Sequence, residues 1–78
     1  MREKKLWLII TFHTTTAAMA MESLCTEKGM PGRLIPVPRE ITAGCGMSWR
    51  ALVENKRELI EAAEQAGIAT DGAYEIVI

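Results

Sequence analysis

The segment GRLIPVP (32–38) sets the strongest limit on what this chain can build. Its aliphatic residues suit a strand, yet Pro36 and Pro38 lie two apart, so both missing amide donors fall on the same side. A strand of that kind cannot pair on both sides; it must be an edge with the proline side outward. The centre of any sheet must therefore lie elsewhere. LWLIITF (6–12) supplies it, because a short apolar and β-branched run without polar alternation reads as a strand buried on both faces.

The remaining elements follow in order. HTTT (13–16) offers hydroxyls to cap a helix over 15–28, in which Ala17, Met21, Leu24 and Cys25 share one stripe and Glu22 and Glu27 face water. Lys28 suits the last turn and Gly29 the position just beyond it. REITAG (39–44) reads as a connection, and CGMSWRAL (45–52) as a third strand with Met47, Trp49 and Ala51 on one face and Ser48 and Arg50 on the other. ENKRELIEAAEQAG (54–67) repeats Leu59, Ala63 and Ala66 at helical spacing beside Ile60, with Gly67 closing it. TDGA (70–73) reads as a turn and YEIVI (74–78) as the last strand. Met19, Met21, Met30 and Met47 are expected to fill gaps in the core.

The order βαββαβ, with right-handed crossovers, predicts an α+β ferredoxin-like two-layer sandwich: a four-stranded antiparallel sheet with both helices on one face. Its strand order, 4-1-3-2, leaves the second strand at an edge, as the prolines require. At 78 residues the chain is expected to form one domain, 1–78.

Composition narrows the partners. A net charge of −1 without a basic cluster gives no footprint for nucleic acid. Two cysteines without a CxxC, and a single His, make no usual zinc set, so neither metal nor cofactor is expected. MREKKLWLIITF followed by AMA (18–20) imitates a secretory leader, but the apolar run stops early at HTTT, and cleavage would remove a strand and half a helix. The expectation is a cytoplasmic protein that does not enter a membrane.

The chemistry concentrates on Cys45, set between Gly44 and Gly46. In the expected fold, the end of strand 1, the start of helix 1 and the strand 2–3 connection meet at one end of the sheet. Cys45 should then lie near Phe12, His13, Thr14 and Thr15. A thiolate is the nucleophilic form of cysteine, and a helix N-terminus or a nearby cation such as Arg39 favours it. His13 is the candidate proton carrier, and the flanking glycines clear space for a partner. Cys25 lies roughly 16 Å down helix 1, beyond the separation of about 7 Å that a disulfide tolerates, and reads as inert core. Each residue also has a plainer reading. Cys45 can be an incidental thiol in a turn, the threonines caps, Arg39 and Glu40 a solvated pair, and Trp49 core. Beyond capping, HTTT could still cradle a small anion.

The stretches TFHTTTAAMAME (11–22), GRLIPVPREITAGCG (32–46) and the closing GAYEIVI resemble the selenium/sulfur carrier-like family, over nearly the whole chain. That resemblance implies a carrier role for Cys45, which would take up sulfane sulfur or selenium from one protein and pass it to another. Pro38, Arg39, Glu40, Gly44 and Gly46 fall in the same motif and become the accompanying site candidates. The alternatives are a binding module that uses loop 38–46 with an incidental thiol, and a homo-oligomer pairing through the proline-free last strand.

Overall fold

A computed structural model describes residues 4–42 and 44–78 of the chain. Strand β1 (Leu6–Phe12) is followed by helix α1 (Thr15–Lys28), strands β2 (Arg33–Pro36) and β3 (Met47–Leu52), a single 3₁₀ turn (Val53–Asn55), helix α2 (Lys56–Gln65) and strand β4 (Thr70–Val77). All pairings are antiparallel and the sheet order is β2-β3-β1-β4, which is the expected ferredoxin-like arrangement. β1 is central: Leu8 through Phe12 are all 0% exposed. β2 is an edge paired only with β3, and Pro36 is exposed.

Both helices cover one face. Leu8, Ile10 and Phe12 of β1 and Trp49 and Ala51 of β3 meet Ala18, Met21 and Cys25 of α1 and Leu59 and Ala63 of α2 in one cluster. α1 starts and stops where its sequence says it should. The Thr14 hydroxyl accepts from the Ala17 amide at 3.1 Å. Gly29 turns left-handed at φ 66°, and Met30 N donates back to Cys25 O at 2.8 Å, which occupies the carbonyls the helix end leaves open.

Four expectations are corrected. TDGA is not a turn: residues 70–73 begin β4 and pair with β1, because the Gly72 and Ala73 backbones complete the ladder beside Thr11 and Ile10. β3 begins at Met47 rather than Cys45, since the positive φ of Gly46 breaks the strand before it. α2 runs from Lys56 to Gln65, shorter at both ends than 54–67, with its first turn wound as 3₁₀. Met19 is 57% exposed, one residue off the buried stripe of Ala18, Met21 and Cys25. Among the described residues no helix is long and apolar enough to cross a membrane.

Candidate functional site

The loop between β2 and β3 is tied down at three points. Val37 N donates to Gly46 O at 2.9 Å, extending the β2–β3 ladder past the proline. Ile41 N donates to Pro38 O at 2.9 Å, closing a turn that leaves Ile41 only 7% exposed. Cys45 N donates to Phe12 O at 2.8 Å, fixing the cysteine backbone to the last residue of β1. The third tie needs an unusual backbone on either side of the cysteine. Gly44 has φ 90° and Gly46 φ 97°, where L side chains are strained. Gly44 is also pressed against β1: a Cβ there would lie 3.1 Å from Phe12 O and 3.2 Å from Thr11 Cβ. A Cβ on Gly46 would meet nothing within 4 Å.

Cys45 is half-buried. Its side chain packs against the helix-side core, and its thiol points to Met47 O at 3.8 Å. α1 begins at Thr15, three residues beyond the Phe12 carbonyl that holds the Cys45 backbone. Thr14 caps the helix, while Thr15 and Thr16 are exposed. Pro38 is half-buried; Arg39 and Glu40 stand exposed in the turn and, among the described residues, form no ion pair. Ala43, within the 39–44 connection, lies outside the described residues. Both cysteines are free. Cys25 is 1% exposed, and burial pushes its thiol above its ordinary value, so at neutral pH it stays protonated and inert.

His13 follows Phe12 directly, so its backbone lies next to that of Cys45. Its imidazole is engaged elsewhere: Nδ1 lies 3.4 Å from Asp71 Oδ1, and Asp71 Oδ2 accepts from the buried Thr11 hydroxyl at 3.2 Å. Asp71 reaches that position because β4 bulges there: Gly72 pairs with Thr11 and Thr70 with Phe12, leaving Asp71 unpaired between them. Sequence reasoning misses Asp71, since Asp-Gly signals a turn and nothing local announces a bulge. Among the described residues no three metal-ligating side chains cluster. Two open depressions of about 550 and 490 Å³ lie over α2, lined in part by Glu54, Arg57 and Glu61, and neither includes a residue of the Cys45 loop.

A family profile described as "Putative Se/S carrier protein-like" matches residues 8–75. The chain belongs to this selenium/sulfur carrier-like family. Its matched region holds the whole thiol loop, all of α1 and the Asp71 bulge. Neither the curated proteins nor the solved structures contain a match to it.

Proposed function

We propose that the protein carries sulfane sulfur or selenium on Cys45 between two partner proteins. The observation that carries this reading is a free, partly exposed thiol pinned to the end of β1 between two positive-φ glycines, inside the region matched to a carrier-like family. Gly46 adds no side chain beside Cys45, and the Cys45 backbone is held in place before any partner arrives, so little ordering is needed on docking.

The step is an exchange without net redox change. The Cys45 thiolate attacks the outer atom of a donor persulfide, R–S–SH, or its selenium analogue, R–S–SeH. The bond between the donor's two chalcogen atoms breaks and the donor leaves as R–S⁻, which takes up the proton that Cys45 gave up. Cys45 now bears –S–SH or –S–SeH. A nucleophile on the acceptor then attacks that outer atom and releases Cys45 as thiolate. The exposed Thr14–Thr15 start of α1 can face the transferred atom, His13 serves as proton carrier only once its imidazole leaves Asp71, and Arg39 and Glu40 form the rim a partner meets. This chemistry belongs to a compartment that keeps thiols reduced, such as the cytoplasm.

The test is loading. Purified protein is mixed with a low-molecular-weight persulfide and examined by intact mass spectrometry, then offered a thiol acceptor. A gain of one sulfur atom that vanishes in Cys45→Ser, persists in Cys25→Ala and is handed to the acceptor supports the carrier. Absence of any adduct on Cys45, with partner binding intact in Cys45→Ser, replaces it with a binding module that uses loop 38–46.

A further inference from the structure

The helices cover one face of the sheet and leave the other to the strands alone. That face presents Trp7 of β1, Ile35 of β2, Arg50 of β3 and Tyr74 and Ile76 of β4 in adjoining registers, with Ile9 fully buried among them. Its charge is one-sided. Arg33 stands directly opposite Arg50 across the β2–β3 ladder, an arrangement in which like charges repel. Arg50 also lies over the Trp7 ring at 4.2 Å, and Lys5 lies over the same ring at 5.1 Å. β1, β2 and β3 contain no Asp or Glu. Of the two acids on β4, Glu75 pairs with Lys56 of the helix layer and Asp71 is held at the far end by Thr11 and His13. Among the described residues none of the three cations has an ion-pair partner. The Arg50 Nε is enclosed and makes no hydrogen bond. A partly desolvated guanidinium facing a second arginine attracts a carboxylate far more than a solvated lysine does.

We infer that this open sheet face docks an acidic, leucine-like segment of a partner protein, with Arg33, Arg50 and Lys5 taking its carboxylates and Ile35 and Ile76 its apolar side chains. A single-stranded nucleic acid would need free ring faces to stack on. Here Trp7 is already overlain by cations, and Tyr74 lies so close over Gly72 that a Cβ there would come within 3.1 Å of the ring. With a net charge of −1, the protein also lacks the long-range field that gathers a polyanion. The inference does not depend on sulfur transfer, because no residue in it belongs to the thiol loop.

The experiment titrates the intact protein with a fluorescent peptide alternating Glu and Leu, a Lys-for-Glu version of it, and an oligothymidine, following anisotropy and amide shifts. The expected result is binding of the acidic peptide only, weakened at least about tenfold in Arg33→Gln with Lys5→Gln, and weakened by salt. The shifts should fall on Trp7, Ile9 and Tyr74 amides rather than on α2. Both substituted side chains are exposed, so the variant keeps its fold, which its unperturbed amide spectrum elsewhere verifies. Equal binding of both peptides, tighter binding of the oligonucleotide, shifts on α2, or no binding at all would each overturn the inference.

Discussion

Glycine does three different jobs in this chain, and each can be tested at the level of a single atom. Gly32 leaves no room at all: a Cβ there would lie 2.2 Å from Trp49 Nε1 and 2.7 Å from Arg50 O, at φ 123°. The indole it abuts is 3% exposed and donates to Pro31 O at 3.2 Å, so the glycine lets the chain entering β2 close over the core tryptophan. Gly44 combines a positive φ with contact against Phe12 O, whereas Gly46 has the φ without the contact. Alanine scanning should rank them accordingly. Gly46→Ala should cost about 1–2 kcal/mol of stability for backbone strain alone. Gly32→Ala should cost about 3 kcal/mol or more, strain and overpacking together. Urea unfolding measures both, and equal losses would mean that the Trp49 contact relaxes freely.

At the scale of elements, the bulge in β4 decides what the end of β1 can do. It carries Asp71 to the buried Thr11 hydroxyl, whose other acceptor, Gly72 O, lies at a longer 3.4 Å. Asp71→Ala should therefore cost about 1–2 kcal/mol, most of it from the buried hydroxyl left with a poorer partner. His13→Ala should cost under about 1 kcal/mol, because the imidazole is 65% exposed and solvent screens its pair with Asp71. Thermal unfolding of both variants decides the order, and a larger loss for His13 would make the imidazole, not the Thr11 hydroxyl, the partner that matters to Asp71. The bulge also marks where the sequence stops being legible. β1 and α1 can be read to the residue, since burial on both faces, a threonine cap and a terminal glycine are local signals. So can β2 as an edge, from Pro36 within it and Pro38 just beyond it. The start of β4 cannot, because Thr70-Asp71-Gly72 carries turn chemistry and its strand conformation comes from pairing with β1, some sixty residues away in sequence. The same limit hides Asp71 from the candidate site, while Cys45 between its glycines stands out.

For the whole molecule, the two cysteines report on two kinds of opening. Cys25 lies in the cluster where α1 meets β1, β3 and α2, so a reagent reaches it only when the helix layer leaves the sheet. In a chain of this size that is close to global unfolding. Burial acts in the same direction, holding the thiol protonated for as long as the core stays closed. Cys45 sits on a loop joined to a four-residue edge strand that has a neighbour on one side only. Its reagent access needs no more than local motion there. Alkylation followed in urea below the unfolding midpoint should then separate them. The Cys25 rate, measured in Cys45→Ser, should climb with denaturant along the full unfolding slope, about 1 kcal/mol per molar for a domain this small. The Cys45 rate, measured in Cys25→Ala, should be faster and nearly flat. Parallel slopes would mean that the loop opens only with the core, and a thiol locked in that way could not hand an atom to a partner in the folded protein.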